Sequence, residues 1–439
     1  MQPQPDSSEP DATASSASPR GGDGARRRLP LVTAGEVMAA AEVVDGIIQT
    51  TPLETSRALS AAAGHPVLLK CEHLQRTGSF KLRGAYNRIH GLSEEERSRG
   101  VVCASAGNHA QGVALAASLQ GVEATVFMPE RAPLPKVEAT RGYGANVELV
   151  GSTFDEAMAA AQDFTDDAGR VFVHPFDHAD IIAGQGTLGL ELLAQDDDFT
   201  TVVVPIGGGG LISGVAVAIK AARPDVRIVG VEAEAAASMA ASLAAGTPVA
   251  ARDGSTIADG IAVKRPGDLT LAHVEELVDD VVAVDDQLIA RALTMLLERA
   301  KQVVEPSGAA AVAALLAGLV EIDGPVVAVL SGGNIDPMML DQLVRAGLDE
   351  EGRHVTLLTR VPDQPGQLVA FLEVLAELQA NVVGVEHYRF GGRRRLGTVD
   401  IMVELEVRGQ EHTDAIVAEL RRRGYALTRS QIRAAGVAL

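Results

Sequence analysis

One lysine stands where the sequence predicts the start of a helix. The segment Thr77-Gly-Ser-Phe-Lys81-Leu-Arg-Gly84 places Lys81 directly after a turn. A lysine at a helix N-terminus sits against the positive end of the helix dipole and is partly desolvated, and both effects favour the neutral amine. A neutral lysine is the nucleophile that forms Schiff bases with aldehydes. Most lysines at helix starts are merely solvated, but Lys81 is a candidate for holding an aldehyde cofactor.

A run of four glycines follows a predicted strand and opens a predicted helix. The segment is Thr201-Val-Val-Val-Pro-Ile-Gly207-Gly-Gly-Gly210-Leu-Ile. Successive backbone N–H groups with a helix N-terminus behind them form a cup suited to phosphate. A glycine turn that only lets strand and helix pack closely rarely needs four glycines in a row. The segment therefore predicts phosphate binding by Gly207, Gly208, Gly209, Gly210 and Leu211.

Two more polar segments follow predicted strands. In Ala104-Ser-Ala-Gly-Asn108-His-Ala-Gln-Gly112, small residues would let backbone N–H groups approach a carboxylate, and the Asn108 amide could donate to a phenolate oxygen. The alternative is that the Asn-His pair only caps a helix. In Val326-Val-Ala-Val-Leu-Ser331-Gly-Gly-Asn334, a hydroxyl comes directly after a buried strand. The alternative there is an ordinary strand-ending turn.

These segments need a framework that brings strand ends together. Between about Leu31 and Leu348, short β-branched runs alternate with alanine-rich helical stretches. The clearest predicted strands are Val67-Lys70, Val101-Ala104, Ala124-Met128, Asn146-Val150, Thr201-Pro205, Arg227-Glu232 and Val326-Leu330. The predicted helices include Ala110-Leu119, Phe154-Phe164, Ala179-Ala194, Leu211-Ala222 and Asp285-Ala300. This order predicts an α/β fold with parallel sheets covered on both faces, and ligands bind such sheets beyond the carboxyl ends of the strands.

The pattern changes in the C-terminal part. From His354 to Thr428 the order reads strand, helix, strand, strand, helix, strand, with a loop at 362–366 before the first helix. Leucine and phenylalanine recur at helical spacing from Leu368 to Leu378, whereas apolar and polar residues alternate from Val399 to Val407. We predict a small α+β module with one covered sheet face.

Composition limits the possible functions. The 439 residues carry 38 basic and 58 acidic side chains, a formal charge of -20 that makes nucleic acid or an anionic membrane an unexpected partner. The longest apolar run, 308–320, is shorter than the roughly 20 residues of a membrane span, and we expect a buried helix. Cys71 and Cys103 lie beside apolar runs and are expected to be buried thiols, which suits a reducing cytoplasm. Residues 1–28 lack the apolar stretch of a signal peptide and are expected to form a disordered tail.

Together the four segments resemble the fold-type II pyridoxal-phosphate enzymes (tryptophan synthase β-like, two parallel-sheet subdomains), and among them the threonine dehydratase family. The resemblance covers about 34–348 and implies a catalytic domain of two interwoven subdomains over 29–348. It implies that Lys81 holds the cofactor as a Schiff base and later moves the α-proton. It further implies that Asn108 contacts the cofactor's 3-hydroxyl, that the loop 207–211 holds its phosphate and that Ser331 faces its pyridine nitrogen. The substrate carboxylate would lie on the loop formed by Ser105, Ala106, Gly107, Asn108 and His109.

The implied reaction converts L-threonine to 2-oxobutanoate and ammonia, with L-serine giving pyruvate as a side reaction. A serine hydroxyl can serve a neutral pyridine nitrogen, and the weaker electron sink suits prompt loss of the β-hydroxyl. The regulated first step of isoleucine biosynthesis is the expected role. Breakdown of threonine is the alternative.

Related activities on the same fold are distinguished by single residues. Leu82 follows the lysine where threonine synthases usually carry an aspartate, and the lysine segment differs from that of cysteine synthases. Serine racemases use a serine at the position of Ala106, and a methyl group cannot carry a proton. A nicotinamide-dependent dehydrogenase could place Glu232 on a ribose, but the glycines do not fit G-x-G-x-x-G, because the last position would be Ile212. A catalytically silent amino-acid sensor would give Lys81 no role.

The C-terminal module, 353–430, resembles an ACT domain. Its loop before the first helix consists of Asp363, Gln364, Pro365, Gly366, Gln367 and Leu368. The resemblance implies binding of a small amino acid between paired modules. We expect inhibition by isoleucine, with valine as an opposing effector, in a homodimer or homotetramer.

Two acidic residues have no assigned role at this stage. Glu232 matches a position that helps to bind a cation in some relatives, but Ser238 stands about where another ligand, an aspartate, is found in some of them. A metal site therefore stays open. Glu305 lies in a family segment near the cofactor ring, and its alternative is a carboxylate that favours a helix N-terminus.

Overall fold

The computed structural model describes residues 29–251, 254–388 and 397–429. The predicted tail, 1–28, and the last predicted residue of the C-terminal module lie outside these ranges. Within them, no helix is long and apolar enough to cross a membrane.

Fourteen strands are formed by the described residues. They are β1 Leu53–Thr55, β2 Val67–Lys70, β3 Val101–Ala104, β4 Ala124–Met128, β5 Asn146–Leu149, β6 Val171–Phe172, β7 Thr201–Pro205, β8 Arg227–Ala233, β9 Asp280–Val284, β10 Val326–Val329, β11 His354–Pro362, β12 Asn381–Tyr388, β13 Thr398–Glu406 and β14 Leu427–Arg429. They make three sheets, with the orders β1-β2-β10-β7-β8-β9, β5-β4-β3-β6 and β12-β13-β11-β14.

Sixteen α-helices connect and cover these strands. They are α1 Ala34–Val44, α2 Arg57–Ala63, α3 Lys81–His90, α4 Glu94–Arg99, α5 Asn108–Leu119, α6 Leu134–Gly142, α7 Phe154–Ala168, α8 Ala179–Gln195, α9 Gly210–Ala222, α10 Ser238–Ala245, α11 Asp268–Leu277, α12 Asp286–Met295, α13 Pro306–Leu316, α14 Pro337–Glu350, α15 Gln367–Glu377 and α16 Gln410–Arg422.

The first two sheets confirm the predicted α/β architecture. All neighbouring strands in them are parallel except β1, which is antiparallel to β2. Every residue of β3, β4, β7 and β10 is buried, because helices cover both sheet faces. The polar and glycine segments identified in the sequence follow the carboxyl ends of β3, β7 and β10.

Two predicted helices lose their α-helical form earlier than the sequence suggested, whereas α7 and α8 extend beyond their predicted ends, to Ala168 and Gln195. The apolar run at 308–320 belongs to α13, but the helix stops at Leu316 because Gly318 adopts a φ of 67° and the N–H of Leu319 returns to the carbonyl of Ala314. The helix predicted over 285–300 uses Asp285 as its N-cap and changes to a π-helical turn from Leu296 to Ala300.

The C-terminal module confirms the predicted α+β order. Its four strands are all antiparallel, and α15 and α16 contribute buried side chains to its core. Phe371, Leu375, Ile401 and Leu405 are fully buried there, whereas β12 is an edge strand with exposed valines.

Helix α3 is held tightly against α5 and α8. A Cβ atom on Gly184 of α8 would lie 2.6 Å from the Cα atom of Gly84, and one on Gly112 of α5 would lie 3.1 Å from the backbone of Lys81. Only glycine permits such a close approach of backbones. The position of Lys81 is thus set by direct contact between helices.

Buried charges hold the other side of α3. We call the four residues Lys70, Glu72, Arg83 and Glu191 the ion cluster. Arg83 donates to both carboxylate oxygens of Glu72 at 2.8 Å and to Glu191 at 2.7 Å, and Lys70 lies 2.7 Å from Glu191. The cluster ties β2, α3 and α8 together two residues beyond Lys81.

Candidate active site

Lys81 is the first residue of α3, as predicted. Its Nζ atom donates to the carbonyl of Pro175 at 2.8 Å. Part of the residue remains open to solvent, but burial of the amine lowers its pKa to about 8, against the opposing charge of Glu305. Desolvation disfavours the ammonium form, so the amine becomes neutral at a lower pH than that of an ordinary lysine.

The glycine loop joins β7 to α9. Gly209 adopts a φ of 90°, and no side chain of the described residues caps the helix that begins after it. A Cβ atom on Gly208 would lie 2.2 Å from the Phe176 ring, and one on Gly207 would lie 3.1 Å from Ile261. The backbone is therefore enclosed on its outer sides, and its N–H groups at the N-terminus of α9 offer the predicted anion cradle.

The segment Pro175–Phe176 joins the lysine to the glycine loop. Pro175 accepts the hydrogen bond from Lys81, and Phe176 packs over Gly208 and Gly210. His174 supports the turn, since its Nδ1 atom accepts the backbone N–H of Asp177 at 2.8 Å and burial lowers its pKa to about 4. This segment was not among the predicted site residues, because the strand before it, β6, has only two residues and was not predicted.

Asn108 does not cap a helix. It is the first residue of α5, but its Nδ2 atom donates to Oε1 of Glu305 at 2.6 Å, and its Oδ1 atom accepts from Asn334 at 2.8 Å. The amide is therefore held by residues that lie about two hundred positions later in the chain. The cap reading of the Asn-His pair is wrong for this side chain.

The loop before Asn108 presents backbone groups. The N–H of Gly107 donates to the Ser105 hydroxyl at 3.2 Å, and Ala106 is partly buried against the neighbouring hydrophobic core. The His109 ring is buried and bonded to the carbonyl of Val173 at 2.9 Å, and burial lowers its pKa to about 3. If His109 contributes to the predicted carboxylate site, it does so through its backbone N–H, because its ring is bonded to Val173.

Ser331 lies beside the lysine turn. Strand β10 ends at Val329, one residue earlier than predicted, and Ser331 follows as a buried residue. Its carbonyl accepts the N–H of Phe80 at 3.2 Å, and Ser79 pairs with Gly332. The turn before Lys81 and the turn that carries Ser331 are therefore neighbours.

Glu305 turns its carboxylate into this site. It is the N-cap residue of α13, but its side chain makes no capping bond and accepts from Asn108 instead. Burial raises the pKa of Glu305 to about 7, and the nearby charge of Asp259 acts in the same direction. The alternative of a carboxylate that only stabilises a helix N-terminus is wrong.

Glu232 and Ser238 are bonded within the protein. The Glu232 carboxylate accepts the N–H groups of Met239 and Ala240 at 2.7 and 2.8 Å, and the Ser238 hydroxyl donates to the carbonyl of Val263 at 2.9 Å. Burial raises the pKa of Glu232 to about 7. Glu232 thus caps α10 and is not presented to a ribose. Among the described residues, no three His, Cys, Asp or Glu side chains form a group that could hold a metal ion.

The predicted effector loop lies far along the chain from these residues. Residues 363–366 join β11 to α15, and Gly366 begins the helix with a φ of 90°. Asp363, Gln364 and Pro365 are exposed, and the N–H of Asp363 donates to the carbonyl of Gly397. The loop is therefore accessible to a small molecule or a second module.

Two family models match the chain. The pyridoxal-phosphate dependent enzyme model matches residues 44–332, and the ACT domain model matches residues 355–424. The L-threonine ammonia-lyase of Thermotoga maritima is 49% identical over 396 residues, which cover 90% of this chain and 98% of that protein.

Two solved structures give the same picture for the catalytic part. Maize serine racemase has a TM-score of 0.68 and 38% identity, covering 73% of this chain and 99% of that one. The processed threonine deaminase isoform 2 of Solanum lycopersicum has a TM-score of 0.68 and 38% identity, covering 72% of this chain and 95% of that one.

Proposed function

Because the chain belongs to the pyridoxal-phosphate dependent enzymes, we propose that it converts L-threonine to 2-oxobutanoate and ammonia, and L-serine to pyruvate as a side reaction. The observation that carries this proposal is the convergence of four distant segments. Lys81 and the glycine loop both contact Pro175–Phe176, Ser331 contacts the turn before Lys81, and Asn108 reaches that turn through Asn334.

The residues present fit pyridoxal phosphate. The glycine loop would supply N–H groups for the phosphate and Lys81 the amine for the aldehyde. Asn108 would supply a donor for the 3-hydroxyl and Ser331 a hydroxyl for the pyridine nitrogen. Ser79 supports the fit, because its hydroxyl is buried and has no hydrogen-bond partner among the described residues. A buried hydroxyl without a partner is costly, and a bound group would supply one.

Lys81 is the residue that moves protons. When bound, the cofactor supplies an electron sink that acidifies the α-hydrogen of the substrate. The Lys81 amine would then accept that hydrogen as a proton, and burial favours this step because it lowers the pKa of the amine to about 8, so that more of it is neutral than in an ordinary lysine. The β-hydroxyl takes up one proton and leaves as water, and the released enamine then reacts with water to give the 2-oxo acid and ammonia.

Racemisation is disfavoured because Ala106 occupies the position at which serine racemases carry a serine. A racemase needs a second proton carrier on the opposite face of the substrate, and the corresponding loop residue here is Ala106. A methyl group neither donates nor accepts a proton. The similarity to a serine racemase therefore concerns the fold and the cofactor.

The C-terminal module supports regulation by an amino acid. We propose isoleucine as inhibitor, with valine opposing it, binding at the loop 363–368 in the regulated first step of isoleucine biosynthesis. A homodimer or homotetramer is favoured, because the edge strand β12 exposes Val382, Val383 and Val385. Both cysteines are buried thiols, which supports our expectation of a reducing cytoplasm.

The test measures 2-oxobutanoate released from L-threonine by the cofactor-loaded protein, with Lys81→Ala as control. Turnover should require Lys81 and fall when isoleucine is added. Coupling between effector and substrate is typically worth about 1–3 kcal/mol and is reciprocal, so isoleucine should bind more weakly when substrate is bound.

Each other result has a definite meaning. Turnover that does not change when isoleucine is added would support the proposed reaction and reject isoleucine as the effector. A loaded protein without threonine turnover would reject the substrate, and L-serine would be tested next.

A further inference from the structure

A continuous row of hydrogen bonds crosses the site. The Nδ2 atom of Asn334 donates both to the carbonyl of Thr77 and to Oδ1 of Asn108, each at 2.8 Å. Asn108 in turn donates through Nδ2 to Glu305 at 2.6 Å. We call these four residues the amide chain. It links the turn before Lys81 to the helices that begin at Asn108 and after Glu305.

The direction of the amide chain is fixed at both ends. The Thr77 carbonyl can only accept, so the nitrogen of Asn334 must face it. The other N–H of that nitrogen then meets the oxygen of Asn108, which turns the Asn108 nitrogen towards the Glu305 carboxylate. One N–H of Asn108 is used by Glu305, and the second is left to donate elsewhere.

Two glycines leave room for the amide chain. A Cβ atom on Gly78 would lie 2.4 Å from Oδ1 of Asn334, and one on Gly332 would lie 2.3 Å from Oε1 of Glu305 and 3.0 Å from Nδ2 of Asn108. Any larger residue would displace these side chains. The turns on both sides are therefore shaped to let the amides meet.

We propose that Asn334 is a positioning residue for the cofactor: it fixes the orientation of the Asn108 amide, so that the remaining N–H of Asn108 is directed to the ring oxygen of the cofactor. The inference deepens the proposed function, because it rests on the role of Asn108 given there. If Asn108 were free to rotate about its terminal bond, its oxygen could face the cofactor oxygen and repel it. Asn334 excludes this orientation because it occupies the oxygen of Asn108.

The test uses the full-length holoenzyme with Asn334→Asp, which keeps the shape but removes both donors. Asn87→Asp is the matched control, because Asn87 lies on α3 and also donates to a backbone carbonyl, that of Asp180, at 2.8 Å. Asn108→Ala and the double variant Asn108→Ala/Asn334→Asp complete a cycle. The readouts are the visible absorbance of the bound cofactor, the cofactor dissociation constant and the thermal midpoint.

Asn334→Asp should shift the cofactor absorbance and weaken cofactor binding about tenfold, the loss of one well-placed hydrogen bond. The double variant should bind the cofactor only slightly more weakly than Asn108→Ala alone, because both substitutions act through the Asn108 amide. If the aspartate variant does not fold, Asn334→Ala, which introduces no charge, takes its place and should also shift the cofactor absorbance and weaken cofactor binding.

Three results would overturn the inference. The first is a wild-type spectrum and affinity in Asn334→Asp, with Asn108→Ala altered, which leaves the proposed function standing. The second is an equal change in Asn87→Asp, which would mean general destabilisation. The third is an unaltered Asn108→Ala, which rejects the role of Asn108 and the inference together.

Discussion

Two lysines have buried amines, Lys70 next to helix α3 and Lys81 at its first position, and the partners of these amines differ. Lys70 in the ion cluster donates to Glu191, Gln195 and the carbonyl of Thr51 at 2.7–2.9 Å. Lys81 donates to a single carbonyl, and no carboxylate of the described residues lies within ion-pair distance of it. A buried ammonium needs a paired charge, and without one its proton is easily lost. The ion cluster therefore stabilises structure, whereas the unpaired amine is available for chemistry.

The Glu72–Arg83 pair shows what pairing achieves. Burial alone would raise the pKa of Glu72, but the charge and hydrogen bonds of Arg83 outweigh it and hold that pKa below its ordinary value. Both side chains are completely buried. The carboxylate stays charged because its partner is equally fixed.

The largest effect is expected from breaking the ion cluster. Glu72→Gln should lower the free energy of unfolding by about 3–5 kcal/mol, because it leaves the Arg83 charge buried and incompletely paired. Chemical denaturation measures this. The exposed pair Glu95–Arg99 supplies the control: Glu95→Gln should cost less than about 0.5 kcal/mol. Equal costs for the two variants would refute the contrast.

The two lysines should differ in reactivity. In the cofactor-free protein, a lysine with a pKa of about 8 instead of 10.5 has about 300 times more neutral amine at pH 7. Competitive acetylation followed by peptide mass spectrometry should therefore label Lys81 with a midpoint near pH 8 and leave Lys70 unlabelled while the protein is folded. Labelling of Lys81 with the midpoint of an ordinary lysine would show that its amine is not desolvated.

A milder change should separate structure from catalysis. Lys70→Met removes the buried ammonium but keeps most of the packing, and Glu191 retains Arg83 as a partner. We expect a loss of about 1–3 kcal/mol in unfolding free energy and unchanged threonine turnover per folded molecule. A large loss of turnover would place the ion cluster within the catalytic machinery.

The smallest expected effect concerns Glu305. The charge of Glu305 raises the pKa of Lys81, so Glu305→Gln should move the acetylation midpoint of Lys81 to lower pH. The same variant should leave the labelling of exposed lysines unchanged. A midpoint that moves to higher pH would contradict the arrangement of charges described above.

The sequence predicted local features well. Four of the seven predicted strands have the observed bounds, because buried parallel strands are continuous apolar runs with polar or glycine residues at their ends. The end of α13 was harder to predict from the sequence, because Gly318 reverses the chain within a run of residues that stays apolar. The contacts of Asn108 were not predictable, because its partners come from distant segments.

The order of strands and helices, the lysine at a helix start and the four-glycine loop are determined by the sequence itself, because each depends on residues that are neighbours in the chain. The tertiary structure decided how those pieces act. It lowers the pKa of Lys81 chiefly by burial, brings Pro175–Phe176 between the lysine and the glycine loop, and orients Asn108 through Asn334 and Glu305. Desolvation and hydrogen-bond direction depend on what surrounds a group in space, and that is set only when distant segments pack together.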